Sequence, residues 1–478
     1  MNKWQKVAVG VATLCVGAGA LAQQSKSGLG VHTRATNDPV FIAQEYLGRP
    51  TNSSITINAA SRQKLEVYYE YGTKPGVYTG KTATATAAAG EPFNILLDKL
   101  QPNTRYYYRM QYRQPGAAAF TARAEHTFMT QRPAGSTFTF TAQFDPHLDD
   151  NIDDEAYKLS MKNMAADQPD FLIDVGDNFF VEKLHPVTNA GVEERVQLMR
   201  SYYDMVSHST SLFLAIGNHE GEWGRHLDGT ANNVAVLDTL QRKRYIPNPV
   251  PDAFYTGSSK EWPLVGVRQA NYAWTWGDAL FIVLDPYWNQ PVAPELSGDW
   301  SLTLGREQYE WLKKTLETSN AKYKFVFSHN LIGGLNMNGP MRGGVAAAKY
   351  LEWGGYNLDD TWGFDKARPG WAMPIHQLLV KNKVNIFFHG HDHMYAKEDL
   401  DGIVYQEGPQ PGAMNATPGN NKSNRYKYTG AVGGTGYLRV RVSPEEAKVD
   451  FVQTWVPAKE TAALKNGMVG ASYTVKPK

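Results

Sequence analysis

Five short apolar runs between Phe138 and Phe388 each end in a cluster of acidic, imidazole or amide side chains, and this recurrence is the strongest constraint in the sequence. Phe138–Phe144 leads into Asp145-Pro146-His147, and Phe171–Val175 into Gly176-Asp177-Asn178. Leu212–Ile216 leads into Gly217-Asn218-His219-Glu220, Lys324–Phe327 into Ser328-His329-Asn330, and Val384–Phe388 into His389-Gly390-His391-Asp392-His393. Runs of this length read as buried strands. Gly305–Thr318 reads as a helix between two of them, with Tyr309, Leu312 and Leu316 at i, i+3 and i+7. Strands alternating with helices imply an α/β layered domain. In such a domain the loops leaving the carboxyl ends of the strands converge on one crevice, so the five clusters are expected to meet there.

The clusters share one chemistry. They offer carboxylate, imidazole and amide groups and no thiolate, because the chain has one cysteine, Cys15. Oxygen and nitrogen donors of this kind suit Fe, Zn, Mn or Mg. The donors are too many for one tetrahedral ion and enough for two ions ~3.5–4 Å apart, the spacing used for in-line phosphoryl transfer. A glycine beside a ligand lets the backbone turn sharply at a strand end. Each cluster alone is a weak signal. Five in one order, each capping an apolar run, form a specific one.

The rest of the chain divides by pattern. Met1–Ala22 reads as a secretory signal peptide: Lys3 and Lys6 supply the charged start, Val7–Val16 the apolar stretch, and Ala20-Leu21-Ala22 the cleavage site. Export to the periplasm or the medium is therefore expected, with no membrane span in the mature chain. Cys15 falls inside this leader, which excludes a disulfide framework and a Cys-ligated zinc site. Residues 38–133 read as all-β. Ser54–Asn58 and Leu65–Gly72 are rich in β-branched and aromatic residues, and Thr104–Arg113 puts Tyr106, Tyr108, Met110 and Tyr112 on one face. Gln131–Gly135 reads as a hinge, residues 136–456 as the domain bearing the clusters, and Glu407–Asn424 as a long loop inside it. Tyr437–Val442 and Ala447–Thr454 read as a C-terminal hairpin. Lys plus Arg is 48 against 47 Asp plus Glu, so the basic excess that nucleic-acid binding needs is missing. Nothing in the sequence sets an oligomeric state.

The ordered clusters resemble the metallophosphoesterase (calcineurin-like phosphoesterase) superfamily. The N-terminal β domain and Gly436-Tyr437-Leu438-Arg439-Val440 are similar to its purple acid phosphatase branch. The resemblance implies a layered β-sandwich flanked by helices. An all-β, fibronectin type III-like sandwich would precede it, with Leu100-x-Pro102-x-Thr104-x-Tyr106 resembling a tyrosine-corner strand. It implies two metal ions (Fe, Zn or Mn), one held by Asp145, His147 and His393, the other by Asn218, His329 and His391, with Asp177 between them. His219 would act on the leaving group, and Asn218 and His219 would touch phosphate oxygens. Arg342, in the glycine-rich loop Gly333–Gly344, is a candidate phosphate clamp or a solvated loop residue. The implied activity is hydrolysis of a small phosphate monoester by a metal-activated hydroxide. A phosphodiesterase with the same centre, or a non-catalytic binding protein on this scaffold, are the alternatives.

Two positions depart from the purple branch. Asp145-Pro146-His147 stands where that branch has D-x-G, and Phe180 stands where it has a metal-binding Tyr, so a ferric tyrosinate cannot form there. Other polar residues have structural readings. His389 is expected to be a buried supporting residue, and His376 to be structural. The acids Asp149, Asp150, Asp153, Asp154 and Glu155 are expected to serve a helix N-terminus. Glu220 is expected to orient His219 or a metal ligand. Trp353, Trp362 and Trp371 are expected to pack rather than to rim a substrate site.

Overall fold

Phe140 and Phe281 meet edge to face, 5.2 Å between ring centroids, at the seam between two β-sheets. The computed structural model describes residues 28–291, 300–332, 343–413 and 432–478. The leader Met1–Ala22, Arg342 and part of the expected loop Glu407–Asn424 lie outside these residues.

The first sheet of the seam has six strands. In spatial order they are Ser211–Leu214, Phe171–Asp174, Phe138–Gln143, Gly436–Val442, Ala447–Gln453 and Val469–Val475. The first three are parallel to one another and the remaining pairings are antiparallel. The second sheet has seven strands. Ala279–Val283, Tyr323–Phe327, Ile386–His389 and Ile403–Glu407 form its parallel centre. Phe140, Phe171, Phe281, Phe325, Phe327 and Phe388 fill the space between the sheets, all fully buried. Burying a Phe side chain is worth about 1.5–3 kcal/mol relative to leaving it exposed, so this aromatic layer is a principal source of cohesion.

Helices cover the outer faces. Asp154–Ala166, Asn189–Tyr203 and Val234–Tyr245 pack Met161, Val196, Met199 and Leu237 against Leu172, Leu212 and Leu214 of the six-stranded sheet. Arg306–Thr318 and Ile375–Lys381 pack Leu312, Leu316 and Leu378 against Ile282, Val326 and Phe387 of the other. The fold is the expected layered β-sandwich flanked by helices. Among the described residues no helix is long and apolar enough to cross a membrane.

The N-terminal region is all-β. Phe41–Gly48, Ile55–Ser61 and Pro92–Leu97 form one sheet, and a second is built around Leu65–Gly72 and Arg105–Arg113. Tyr106, Tyr108 and Met110 alternate into the core between them, and the Tyr106 hydroxyl accepts the Gln101 N–H at 2.8 Å. Ala43, Tyr46 and Ala60 do not belong to that core. They are buried with Met199, Tyr203 and Leu212 of the following domain. Leu47 N donates to Ser207 O at 3.0 Å, and Arg200 Nη1 to Asn58 Oδ1 at 2.7 Å. At the other end, Val469–Val475 extends the six-stranded sheet past residue 456, where the sequence pattern placed the domain end.

Candidate metal centre

Strand ends from both sheets meet at one edge of the sandwich. Phe138–Gln143, at the middle of its sheet, delivers Asp145 and His147, and its parallel neighbours deliver Asp177 and Asn218. Tyr323–Phe327 and Ile386–His389 of the facing sheet deliver His329, His391 and His393. The turns are tight. Asp145, His147, Asp177, Phe180, His391 and His393 all have positive φ, a region that costs non-glycine residues energy and recurs at functional sites. Gly217 is needed for close approach: a Cβ there would lie 2.2 Å from Asp177 Oδ1 and 2.2 Å from Asp177 N.

Asp177 sits at the centre. Its Oδ2 lies 3.1 Å from His147 Nε2 and 3.1 Å from His329 Nε2. Asp145 Oδ1 lies 3.6 Å from both His329 Nε2 and His393 Nε2, and 3.9 Å from His147 Nε2. His329 Nε2 and His391 Nδ1 are 3.2 Å apart. The ligand atoms form three compact groups, each with all its members within 4.8 Å of one another: Asp145, His147 and His393; His147, Asp177 and His219; Asp177, His329 and His391.

The electrostatics of the site point to a cation. Burial raises the Asp145 carboxyl to about 6, with Asp177 adding to the effect. Burial alone would lower His147 and His329, but the surrounding carboxylates outweigh it and push them up to about 10 and about 9. Asp177 is held well below the usual range: burial acts to raise it, and His329 and His219 outweigh that. Without a metal these carboxylates keep protons on the imidazoles, and a metal ion would take those protons' place. Asn218 Oδ1 is buried with no hydrogen-bond partner among the described residues, an orphaned acceptor that a cation would satisfy. The donor set thus fits the metal ions that the sequence resemblance implies.

A ring of supporting contacts fixes the donors. Asp149 Oδ2 is 3.2 Å from His147 Nδ1, and Val175 O is 3.0 Å from His329 Nδ1. Such partners set the tautomer and raise ligand basicity. Asp149 therefore serves His147. Of the acidic stretch it is Asp153 that caps the helix Asp154–Ala166, accepting from Glu155 N at 3.0 Å and Ala156 N at 3.2 Å. Of the two roles expected of Glu220, the structure shows the second, support of Asp177 rather than of His219. Its buried carboxylate accepts the N–H of Asp177 at 3.0 Å, of Phe179 at 3.3 Å, and of Asn178, pinning two loops together. His219 N donates to Asp177 Oδ1 at 2.7 Å, and His391 N to Asp145 Oδ1 at 2.9 Å.

Three contributors were not visible in the sequence. Glu182 binds His219 Nδ1. Arg195, buried in the helix Asn189–Tyr203, donates to the carbonyls of Phe179 at 2.8 Å and of His147 and Leu148 at 3.0 Å each. His32 Nε2 lies 2.8 Å from Asp149 O, tying the N-terminal segment to the same loop. None has a motif around it, and each is recruited by the fold. Phe180 stacks on His147 at 5.2 Å and lies 4.3 Å from His219, walling the crevice. Further out, His389 is buried against Glu407, and His376 lies 2.8 Å from the Tyr405 hydroxyl. Trp353 is fully buried in the core, Trp371 stacks on Tyr309 at 4.1 Å, and Trp362 is exposed.

Comparison with known proteins bears on the same span. The family model described as calcineurin-like phosphoesterase matches residues 145–395, which includes all seven expected metal ligands and His219. Among solved structures the chain is similar to that of PhoD, with 16% identity, 92% of each chain covered and a TM-score of 0.66, a likeness of fold. It also matches GAP50, the anchor in the inner membrane complex of Plasmodium, at 14% identity over 72% of this chain and 89% of that one, TM-score 0.39. A putative 5′-nucleotidase from Staphylococcus aureus matches at 14% identity over 69% of this chain and 56% of that one, TM-score 0.33. No curated protein sequence matches.

Proposed function

Because this chain belongs to the calcineurin-like phosphoesterase family, we propose that it is an exported enzyme that hydrolyses phosphate monoesters with two metal ions. Phosphoesterase chemistry follows from the family. The ion count, the monoester and the export are inferred from the chain. Asp145, His147 and His393 would hold one ion, Asn218, His329 and His391 the other, and Asp177 would serve both. The position of Asp177 Oδ2, 3.1 Å from a histidine of each set, is the observation that carries this reading. The nitrogen and oxygen donors, with Phe180 in place of a tyrosine, favour Zn, Mn or Fe(II) over a ferric tyrosinate centre. When bound, such ions would supply positive charge to phosphoryl oxygens and acidify a water nucleophile.

The chain's own residues do the rest. His219 has its Nδ1 held by Glu182 and its Nε2 on the side of Asp177, 4.0 Å away. Its side chain is 20% exposed, enough to reach a leaving oxygen in the crevice. We assign it the proton donor, with Glu182 fixing the orientation of the ring. Asn218 and His219 would also contact phosphate oxygens. Phe180, buried beside His147 and His219, forms one wall of the crevice. The leader Met1–Ala22 supports export, and residues 38–133 are read as a scaffold domain that supplies no ligand.

Metal analysis of the purified mature protein, beside a panel of monoesters and diesters, tests the proposal. About two ions per chain and faster turnover of monoesters are expected. Full activity in a metal-free preparation would overturn the metal centre. Faster diester turnover would keep the centre and reassign the substrate.

A further inference from the structure

Arg195 brings a buried charge to the metal loops that the proposed reaction does not use. It lies in the helix Asn189–Tyr203 and is 9% exposed. Its three hydrogen bonds among the described residues go to backbone carbonyls and none to a carboxylate: Nε to Phe179 O at 2.8 Å, and Nη2 to His147 O and Leu148 O at 3.0 Å each. Burying a charge is costly unless its hydrogen bonds are made, and bonds from an ionised donor are the strong ones. The three carbonyls belong to two loops. One runs on from Asp145 and carries His147, and the other runs on from Asp177.

Both loops need enforcing. His147, Leu148, Asp177 and Phe180 have positive φ, a conformation that persists only where the surroundings over-determine it. Backbone pairing supplies part of the constraint, with His147 N donating to Asp177 O at 2.9 Å. Glu220 supplies another part, accepting the Phe179 N–H at 3.3 Å. Phe179, two residues past Asp177, is thus gripped from both ends: its N–H by a buried carboxylate and its C=O by a buried guanidinium. The planar fork of an arginine reaches both loops at once, which the point charge of a lysine does not. The charge has its own use. Burial lowers the guanidinium to about 10, and Glu182 and then Asp149 are the groups that most oppose this. These are the carboxylates that hold Nδ1 of His219 and of His147. One cation therefore serves the supports of a proposed ligand and of the proposed acid.

On the metal-centre reading given above, we propose that Arg195 is a positioning residue for that centre: its guanidinium joins the loop of His147 to the loop of Asp177 and sets the spacing between the two groups of ligands. The test is a competitive chelator titration of the full mature protein with Zn(II), beside the visible spectrum of the Co(II)-loaded protein. Arg195→Ala should weaken metal binding about tenfold or more and change the Co(II) spectrum. Arg195→Lys, which keeps the charge without the fork, should recover only part of the affinity. A cavity of about 290 Å³ adjoins Arg195, walled also by Gly30, Val31, Leu184 and Leu198, so the truncated variant leaves a small cation a way in. Methylguanidinium should therefore restore metal affinity and the native spectrum to Arg195→Ala and leave the wild type unchanged. Loss of metal in Arg195→Ala with recovery neither by methylguanidinium nor in Arg195→Lys would make the residue merely structural and overturn the proposal. Where Arg195→Ala does not fold, Arg195→Lys decides, and native affinity in it overturns the proposal. A wild type that binds no metal defeats the metal-centre reading itself. A wild type that binds metal, with variants that match it, defeats the role of Arg195 alone.

Discussion

Glu182 binds Nδ1 of His219, and His219 Nε2 is left on the side of Asp177, 4.0 Å from its carboxylate. The pair links a short turn, Val181–Lys183, to the loop that follows Ser211–Leu214, so the ring is held from a different part of the chain. A poor leaving group needs a proton as its bond to phosphorus breaks, and a positioned acid contributes ~10²–10⁴-fold. His219→Asn should slow alkyl phosphates by that order and nitrophenyl phosphate far less, with metal content unchanged. Glu182→Gln, which weakens the hold on Nδ1, should do the same to a lesser degree. Steady-state kinetics on both substrate types measure this, and equal slowing of the two would remove the proton-donor role.

Asp149 gives a separate readout. It touches the imidazole of His147 at 3.2 Å and is fixed in turn by Asn151 N at 2.9 Å. Loss of such a partner costs ~10–100-fold in metal affinity. Asp149→Ala should therefore bind metal more weakly in a competitive chelator titration while the fold, followed by circular dichroism, persists. His147→Ala, which removes one of the proposed ligands, should lower the number of ions bound instead.

Gly217→Ala tests the geometry. The added methyl would sit 2.2 Å from Asp177 Oδ1 and 2.8 Å from Glu220 Oε2, groups that are buried and already hydrogen-bonded. Overpacking of this kind costs about 1–3 kcal/mol. A lower midpoint in urea together with loss of metal is expected. A variant with native stability and metal content would show that the loop has room to relax.

Acid should loosen the junction between the N-terminal β region and the rest. His126 and His208 face each other there, 4.2 Å between ring centroids. Burial is the main cause that lowers each to about 4. Arg123 lowers His126 further, His126 lowers His208, and Glu125 and Glu45 oppose only in part. The unfolded chain takes up these protons near the ordinary value of about 6.5, before the folded chain does. The stability they contribute is thus complete above about pH 6.5 and falls as the pH drops toward about 4. Urea midpoints measured across that window should decline, and His208→Gln should flatten the decline.

The sequence showed the strand-end clusters because each follows a run such as Phe171–Val175 whose apolar content leaves little choice of structure. Asp145, Asp177, His329, His391 and His393 converge as expected for that reason. The supporting residues were harder to read. Asp149 lies in an acidic stretch where any member could cap a helix, and the positive φ of His147 and Leu148 in the turn before it has no sequence signature. Glu182 and Arg195 reach the site through tertiary packing, which leaves no periodicity. The shared burial of Tyr46 with Tyr203 was hidden for the same reason: strand alternation shows that a face is covered, not by what.

The six-stranded sheet also sets an order of events in folding. Phe138–Gln143, which leads into Asp145 and His147, pairs on one side with Phe171–Asp174 and on the other with Gly436–Val442, a separation of about 300 residues in the chain, and pairings of that range form slowly. The strand that delivers Asp145 cannot be fully enclosed until the C-terminal hairpin has been synthesised and has docked. The clustered donors therefore come together at a late stage of assembly, after the two ends of the domain have met.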